Sequence, residues 1–312
     1  MSEGKKLKIL SEVLGDYYRS STEILFYCPK CEHHKKKLSI NVEKNVFKCW
    51  VCDYSGRSIY RLIRRYGTYQ TRAEWSKLTS QVDVKLFSEK LFDIEEKRPD
   101  QIVKLPKEFA SLANKKLPAT STYPLNYLFS RGVTKSDIIR WKIGYCSGGE
   151  YESRIIIPSF GMTGDCNYFT ARSYSNDWKK YMNPPAHRDI IFNHLYLDFD
   201  EDLIITEGIF DAIVAGPNSA PILGSTLREN SRLFQEIVKN DTPVYIALDP
   251  DAEKKAMRLI NDLLKYGVEI YKVDISPYSD VGEMSKKEFV LRKQNATLMN
   301  TTNYLLKALA GI

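Results

Sequence analysis

The segments Ala247-Leu248-Asp249-Pro250-Asp251 and Ile204-Ile205-Thr206-Glu207-Gly208 each place carboxylates directly after a short apolar strand. Open α/β sheets bind their ligands at the carboxyl ends of such strands. We therefore expect Glu207, Asp249 and Asp251 to converge on a divalent cation, because hard oxygen ligands suit Mg²⁺, which supports phosphate chemistry. Metal-assisted phosphoryl transfer is the first hypothesis that the sequence supports.

The sequence around these two segments alternates between predicted strands and helices. Strands are predicted at 203–206, 220–223, 244–248 and 268–273, and helices at 209–215, 227–238 and 252–266. This alternation predicts a parallel, doubly wound sheet. The fold class is therefore α/β in this part of the chain.

The preceding region has a different pattern. A helix that runs through Tyr127 is expected to stop at Gly132, and a second helix is expected to begin at Thr134, since threonine is a favourable N-cap. Strands are predicted at 154–158 and 165–172. Residues 177–185 are predicted to form a basic loop, so the chain as a whole is mixed α+β.

Four cysteines near the N-terminus have the spacing of a zinc site. Cys28-Pro29-Lys30-Cys31 is followed by 17 residues and then by Cys49-Trp50-Val51-Cys52. Two such pairs supply the four thiolates of a closed, structural zinc site. A hairpin formed by residues 38–42 and 46–48 is predicted to bring the pairs together. His33 and His34 are alternative ligands, although the cysteines alone complete the coordination.

The net charge of +7 is concentrated at the same end of the chain. Residues 1–70 contain 14 Lys and Arg against 7 Asp and Glu, and the remainder is balanced. Basic residues interleaved with aromatic ones, such as Phe47 and Trp50, are typical of surfaces that bind phosphates and stack on bases. The alternative is a solvated face around Lys35-Lys36-Lys37. A predicted helix after residue 58 would extend the basic surface through Arg57, Arg61, Arg64 and Arg65.

The composition, with 43% hydrophobic and 27% charged residues, is that of an ordinary soluble globular protein. The N-terminus has no apolar signal-peptide core, and no apolar run reaches membrane-spanning length. We therefore expect a cytoplasmic protein with no membrane partner, in a compartment where thiols stay reduced and bind zinc. Cys146 and Cys166 are expected to be buried thiols without a functional role.

Read in this order, the features resemble a DnaG-type primase, the bacterial and bacteriophage enzyme that makes RNA primers for DNA replication. The resemblance covers nearly the whole chain, and the combination is more specific than its parts, since Toprim sites also occur in topoisomerases and nucleases. It rests on the cysteine module and on the blocks Tyr127 to Tyr145, Arg154 to Pro158, Ala171-Arg172, Lys180 to Pro185, Glu207 to Asp211 and Asp249 to Asp251.

The resemblance implies an N-terminal zinc ribbon and a catalytic core that contains a Toprim parallel sheet. Residues 1–68 would be the DNA-binding zinc ribbon and 69–104 a linker. Residues 105–200 would form the basic N-terminal part of an RNA polymerase core, and 201–284 its Toprim part. Residues 285–312 would be a short C-terminal helical segment.

The resemblance also implies roles for particular residues and partners. The expected cofactors are one structural Zn²⁺ and two or more catalytic Mg²⁺ or Mn²⁺ ions. The expected partners are a single-stranded DNA template, ribonucleoside triphosphates and a replicative helicase, in a stand-alone, phage-type enzyme. The metal ligands would be Glu207, Asp249 and Asp251, with Asp211 and Asp280 as supporting acidic residues, and Arg172 and Lys180 would face the template or the incoming triphosphate.

Two alternatives stay open from the sequence. A Toprim nuclease would use water in place of the 3′-hydroxyl, and a non-catalytic relative would bind single-stranded DNA or assist a helicase. The zinc module weighs against the first, and the intact carboxylates weigh against the second. The chain also departs from the family pattern around Asp249, with Pro250 in place of glycine and Ala252-Glu253 in place of an alanine–glycine pair.

Overall fold

Two units make up the chain, an N-terminal unit, Met1–Phe87, and a C-terminal unit, Ser88–Ile312. The computed structural model describes residues 2–20, 23–56, 58–79, 101–175, 177–224 and 226–309.

The N-terminal unit contains a five-stranded antiparallel sheet in sequential order, β1 to β5. In the predicted hairpin, Leu38 pairs with Cys49 and Asn41 pairs with Val46, which confirms it. Leu38 and Ile40 are fully buried beneath the sheet. The strands are β1 Tyr18–Ser20, β2 Glu23–Phe26, β3 Leu38–Asn41, β4 Val46–Cys49 and β5 Ser55–Gly56.

Within its described residues, the N-terminal unit also contains the helices α1 Ser2–Leu14, α2 Tyr60–Tyr66 and α3 Tyr69–Thr79. They pack against one another and share one core with the sheet, to which Leu10, Ile63 and Trp75 contribute.

Helix α1 was not predicted. Helix α3 lies inside the predicted linker 69–104, yet Trp75 is only 1% exposed, so the first part of that segment belongs to the N-terminal unit. Most of the remainder, residues 80–100, lies outside the described residues.

The arginines of α2 differ from the prediction. Arg61 and Arg64 are 9% and 8% exposed, so the expectation that they extend an exposed basic surface is wrong. The sequence pattern indicates one apolar stripe, whereas α1 and α3 both pack against this helix and cover more than one of its sides. Arg57 lies outside the described residues.

The first half of the C-terminal unit contains a four-stranded antiparallel sheet in sequential order, β6 to β9. Strands β8 and β9 pair with each other and are the two strands predicted here. Helices α4 Thr122–Ser130 and α5 Lys135–Arg140 precede this pair in sequence. The strands are β6 Phe109–Ser111, β7 Gly144–Cys146, β8 Arg154–Phe160 and β9 Cys166–Ser173.

The turn between α4 and α5 confirms the two capping predictions. Gly132 has a φ of +72°, the left-handed conformation that ends a helix at glycine. The Thr134 hydroxyl accepts a hydrogen bond from the Asp137 amide, and the Asp137 carboxylate accepts one from the Thr134 amide at 2.8 Å. This reciprocal capping box fixes the start of α5.

The second half of the C-terminal unit contains the predicted parallel sheet. Its strand order is β11-β10-β12-β13-β14, and the pairs among β10 to β13 are parallel. All four residues of β10 are buried, as expected of a central strand. The strands are β10 Leu203–Thr206, β11 Ser219–Pro221, β12 Val244–Ala247, β13 Ile270–Lys272 and β14 Thr297–Met299, with helices α6 Ile209–Ala215, α7 Arg232–Asn240 and α8 Glu253–Lys265.

Two boundaries in this half differ from the predictions. The strand expected at 220–223 ends at Pro221, because Leu223 and Gly224 take positive φ values that no strand continues through. Helix α7 begins at Arg232 rather than near 227. The predicted C-terminal helical segment contains helices α9 Lys286–Gln294 and α10 Thr301–Leu309, and also β14, which pairs antiparallel with β13.

Across the ranges that the structure describes, no helix has both the length and the apolar character needed to cross a bilayer.

An ion pair ties α5 to α9. The Lys286 ammonium lies 2.5 and 2.6 Å from the two oxygens of Asp137, the capping carboxylate of α5, which is 7% exposed. Burial opposes ionisation of this carboxyl, but hydrogen bonds from Lys286 and Thr134 outweigh it and lower the pKa of Asp137. The pair therefore contributes stability at neutral pH, which is lost as the pH falls through the depressed pKa.

Lys286→Met should destabilise the chain by about 1–3 kcal/mol, because the substitution leaves a buried carboxylate without its counter-ion. Urea unfolding followed by circular dichroism at pH 7 would measure the loss. Lys287→Met, at the exposed neighbouring position, is the matched control and should change stability by less than about 0.5 kcal/mol. Equal stability of the two variants would show that the ion pair contributes nothing.

Candidate functional site

The four predicted zinc ligands lie together. Cys28 follows β2 and Cys49 ends β4, so the hairpin brings the two pairs face to face. The sulfurs of Cys28 and Cys52 are 3.8 Å apart and those of Cys31 and Cys49 are 3.9 Å apart. Four sulfurs at about 2.3 Å from a central zinc ion would lie about 3.8 Å from one another in a tetrahedron. The geometry therefore fits a structural zinc ion.

The thiols of the cluster differ in their electrostatics. Burial raises the pKa of Cys28 to about 12, whereas at Cys49 burial is outweighed by hydrogen bonds from the Cys52 and Val51 amides, which lower the pKa of Cys49. A zinc ion would stabilise the thiolate form of all four cysteines. The alternative ligands are placed elsewhere. The His33 Nδ1 atom accepts a hydrogen bond from the Lys35 amide at 3.1 Å, and neither His33 nor His34 belongs to the cluster.

The predicted acidic residues gather at the carboxyl edge of the parallel sheet. Glu207 directly follows β10, and Asp249 follows the adjacent strand β12. Asp211 lies in the first turn of α6, and Asp280 precedes a short 3-10 helix, Val281–Glu283. Asp251 lies in the turn between β12 and α8 and is exposed. One edge of one sheet thus presents five carboxyl groups.

Asp249 is the most strongly perturbed carboxyl of this group. Burial raises the pKa of Asp249 to about 7, and the negative charges of Asp211, Glu207, Asp280 and Asp251 contribute to the shift. These four groups are therefore close enough to repel it. A carboxyl held in this way favours any cation that enters the cluster.

Asp211 is 7% exposed and has a structural task as well. Its two oxygens accept hydrogen bonds from the amides of Gly208 at 2.8 Å and Gly282 at 2.9 Å. Burial and the charge of Asp280 raise the pKa of Asp211, and the two amides oppose that shift. Asp211 therefore joins the loop after Glu207 to the loop that carries Asp280.

Among the described residues, three carboxylate oxygens are buried and have no hydrogen-bond partner within the chain: Glu207 Oε2, Asp249 Oδ1 and Glu253 Oε1. The first two belong to residues that follow the adjacent strands β10 and β12. The other oxygen of Glu207 accepts a hydrogen bond from the Lys255 ammonium at 2.8 Å. Buried carboxylate oxygens without donors are costly unless a cation binds them. The residues present therefore fit a divalent metal at Glu207 and Asp249.

The spacing of the cluster limits how one ion is held. Within the described residues, only the four cysteines form a set of three or more candidate ligand atoms that all lie within 4.8 Å of one another. Opposite ligands of one Mg²⁺ are only about 4.2 Å apart, at about 2.1 Å from the ion on each side. As the side chains stand, no three of the carboxylates share one ion, which suits Mg²⁺ bound by one or two carboxylates and several waters.

The structure accommodates both departures from the family pattern near Asp249. Asp249 has φ −61° and ψ 152°, the extended conformation that a residue before proline prefers, and Pro250 starts a 3-10 turn, Pro250–Ala252. The Glu253 carboxylate pairs with the Lys272 ammonium of β13 at 2.8 Å. The turn that carries Asp251 therefore forms without the glycines.

Of the two predicted basic residues, Arg172 is held in place and Lys180 is exposed. The Arg172 Nε atom donates to the Tyr127 hydroxyl at 3.0 Å, and its guanidinium lies 4.8 Å from the centre of the Tyr181 ring. Arg131 donates to the same hydroxyl at 3.3 Å and lies over the Phe210 ring. Phe210 is next to Asp211, so this network reaches the acidic cluster.

Sequence reasoning did not single out Arg131, Tyr127 or Lys255 as site residues. Arg131 lies at the end of a helix, where a cation is common for dipole reasons alone. The tyrosine and the lysine had no distinguishing pattern. Tyr127 contacts Arg172, 45 positions away, and Lys255 contacts Glu207, 48 positions away, which local spacing does not reveal.

Comparisons with known proteins find DNA primases. A DNA primase of Thermotoga maritima is 24% identical over 189 residues, which cover 55% of this chain and 34% of the relative. A DNA primase of Helicobacter pylori is 21% identical over 322 aligned positions, which cover 85% of this chain and 56% of the relative. The chain thus spans between a third and somewhat over half of the length of these curated relatives. No protein-family model matches the sequence.

Solved structures show the same fold. The zinc-binding and RNA polymerase domains of the Aquifex aeolicus primase superpose with a TM-score of 0.50 at 18% identity, over 94% of this chain and 83% of that one. A DnaG primase catalytic domain bound to single-stranded DNA superposes with a TM-score of 0.52 at 17% identity, over 62% of this chain and 76% of that one.

The fold and the two clusters define a class: a mixed α+β chain with a four-cysteine module and an acidic, parallel-sheet domain. Within that class, the curated relatives and the structural neighbours confirm the resemblance to DnaG-type primases that the sequence motifs indicated.

Cys49→Ser should lower the bound zinc from about one ion per chain to near zero and destabilise the N-terminal unit, because three thiolates no longer close the site. Metal analysis of the purified protein and hydrogen exchange of residues 23–56 would test both effects. Cys166→Ser is the matched control, since its sulfur only donates to the Tyr168 carbonyl at 3.2 Å, which serine can also do. Full zinc content in Cys49→Ser would contradict the assignment.

Asp249→Asn should stabilise the chain above pH 7 when no divalent cation is added. In the unfolded chain Asp249 loses its proton near its ordinary pKa of 3.8, but the folded chain keeps it up to about pH 7. Stability therefore falls as the pH rises through this window, and asparagine removes the loss.

Melting temperatures from pH 4 to 8 would show the effect, as an increase of about 2–4 °C at pH 8 and little change at pH 4. Asp165→Asn, at an exposed turn, is the control. Identical melting profiles for the two variants would show that Asp249 is not under electrostatic strain.

Proposed function

We propose that this chain is a DNA primase, a DNA-directed RNA polymerase that synthesises short RNA primers on single-stranded DNA. The observation that carries the proposal is the acidic edge of the parallel sheet, where Glu207 and Asp249 hold buried oxygens without donors. The arginines near this edge and the four-cysteine module on the same chain support it further.

The proposed reaction joins two ribonucleotides. The 3′-hydroxyl of one attacks the α-phosphorus of the next triphosphate, a phosphorus–oxygen bond forms, and pyrophosphate leaves. Bound Mg²⁺ or Mn²⁺ would lower the pKa of the hydroxyl and neutralise the leaving oxygens. Catalysis of this kind needs positioning and charge rather than a protein nucleophile.

The acidic residues divide this work according to their positions. Glu207 and Asp249 would hold a metal ion, and the exposed Asp251 is suited to a second ion that arrives with the triphosphate. Asp211 and Asp280 complete the negative field, and Asp211 keeps its two loops in place through the amides of Gly208 and Gly282.

The basic residues would hold phosphates. Arg172 is fixed between Tyr127 and Tyr181, so its guanidinium is ordered before any ligand binds. A preorganised guanidinium loses less entropy on binding a phosphate than a mobile one. Lys180 is exposed on the loop that follows β9 and would contact the strand backbone as a point charge.

The proposed partners follow from this reaction and from the resemblance to DnaG-type primases. They are single-stranded DNA as the template, ribonucleoside triphosphates as substrates and a replicative helicase that supplies the unwound strand, all in the cytoplasm. One structural neighbour, a primase catalytic domain bound to single-stranded DNA, supports DNA as the template. The zinc module would contribute the second DNA-binding surface.

Asp249→Asn should reduce primer synthesis at least about 100-fold, because the variant removes a charge that holds the metal. The assay combines the full chain, mixed-sequence single-stranded DNA, Mg²⁺ and four ribonucleotides, one of them labelled, with a denaturing gel to resolve the products. Binding to single-stranded DNA should be retained, since Arg172 and Lys180 are unchanged. Asp165→Asn is the control and should keep full synthesis.

Three other results would contradict the proposal. Undiminished products from Asp249→Asn would exclude the metal role of this carboxylate. Cleavage of labelled DNA by the wild-type chain in Mg²⁺ without triphosphates, and no synthesis, would indicate the nuclease alternative. DNA binding with neither synthesis nor cleavage would indicate the non-catalytic alternative.

A further inference from the structure

Trp178 is the most exposed large hydrophobic residue in the described part of the chain, with 92% of its surface in contact with solvent. It lies in the loop that follows β9 and returns to pair with that strand at Tyr181. Single exposed hydrophobic residues are common and need no explanation alone. The residues around Trp178, however, indicate a role for this side chain.

The loop is fixed on both sides of the tryptophan by one buried residue. Arg154 of β8 is 5% exposed, and its guanidinium forms an ion pair with Asp177 and donates to the Lys179 carbonyl at 2.9 Å. The Lys179 amide donates to the Asp177 carboxylate at 3.0 Å. The residues immediately before and after Trp178 are therefore held, and the indole projects from an ordered turn.

The same contacts set the charge that the loop presents. The carboxylate of Asp177 is turned towards Arg154, while Lys179 and Lys180 are exposed. The loop then runs back along β9, where the Ser173 amide donates to the Lys180 carbonyl at 2.9 Å. The loop continues to Tyr181, whose ring packs on the Arg172 guanidinium. An indole, two ammonium groups and a guanidinium stacked on a phenol thus follow one another along one short stretch.

We propose that Trp178 is a stacking platform for a base of single-stranded nucleic acid, with Lys179 and Lys180 as contacts to the flanking phosphates. Aromatic side chains beside a cationic track are the general means of binding single strands without sequence preference, because every base has a π face. A tryptophan that anchors a protein partner normally lies in a well-packed apolar pocket, whereas the chain neighbours of this one are charged. The location of the platform on the template path rests on the proposed function; the stacking itself does not.

The test measures binding of labelled oligo(dT) to the full chain by fluorescence anisotropy at several salt concentrations. Trp178→Ala should weaken binding about tenfold, since stacking on an aromatic side chain supports roughly that factor per base. The slope of affinity against salt should stay the same, because stacking releases no counter-ions. Lys180→Ala should instead reduce the slope, as expected for a lost phosphate contact.

Two further variants keep the result interpretable. Trp178→Phe should retain most of the affinity, which a general loss of folding would not allow. Met162→Ala changes another exposed hydrophobic residue, 61% exposed in the turn between β8 and β9, and should leave binding unchanged. Wild-type affinity in Trp178→Ala, or an equal loss in Met162→Ala, would overturn the stacking proposal, as would a wild-type chain that does not bind oligo(dT).

The outcome is separable from the proposed function. If Trp178→Ala loses affinity but the wild-type chain makes no primers, the stacking platform stands and the primase proposal fails. If primers are made and Trp178→Ala binds oligo(dT) as the wild type does, the platform fails and the primase proposal stands.

Discussion

Repulsion among carboxylates at the edge of the parallel sheet is the constraint on which the C-terminal unit depends. Burial and four like charges raise the pKa of Asp249 to about 7, and the neighbouring acids Asp211 and Glu207 are stabilised by hydrogen-bond donors. These donors come from separate elements: the amides of Gly208 and Gly282 in two loops, and the Lys255 ammonium of α8. These partners compensate only part of the charge, since the buried Glu207 Oε2 and Asp249 Oδ1 have no donor within the described chain. The remaining imbalance is what a metal ion would correct.

The two glycines at this edge show how closely the backbone must approach the acids. A Cβ at Gly208 would stand 3.0 Å from the Asp211 Oδ2 atom, and one at Gly282 would stand 3.1 Å from oxygens of both Asp211 and Asp280. Side chains there would push the carboxylates apart and lengthen the amide hydrogen bonds that hold Asp211. Pro250 shows the opposite case. Proline at this position requires an extended backbone at the residue before it, and Asp249 has that conformation. Glycine is therefore not needed at position 250.

The features that sequence reasoning predicted correctly are those set by local pattern. Cysteine spacing gave the four-sulfur cluster, the Gly132 and Thr134 signals gave the α4–α5 turn, and apolar runs followed by carboxylates gave the sheet edge. The features it missed depend on packing between distant segments. Arg61 and Arg64 are buried because α1 and α3 both pack against α2, and β14 exists because β13 offers an edge. The distances among the carboxylates could not be predicted either, because spacing along the chain does not determine side-chain positions.

The basic network, formed by Arg131 and Arg172 on Tyr127, and the acidic cluster favour ligands of opposite charge. Arg131 and Arg172 both donate to the Tyr127 hydroxyl, a neutral acceptor, so one uncharged oxygen holds two guanidinium groups near each other. The charge of Arg131 offsets part of the negative field at Asp211, but Arg172 rests on the rings of tyrosines rather than on an acid. The guanidiniums therefore favour an anion, while Glu207 and Asp249 favour a cation. A metal-bound triphosphate carries both charges in one molecule, with the phosphates and the metal only a few ångströms apart. A metal-bound triphosphate, the substrate of the proposed reaction, would satisfy both demands at once, whereas a free metal ion or a free phosphate would satisfy only one.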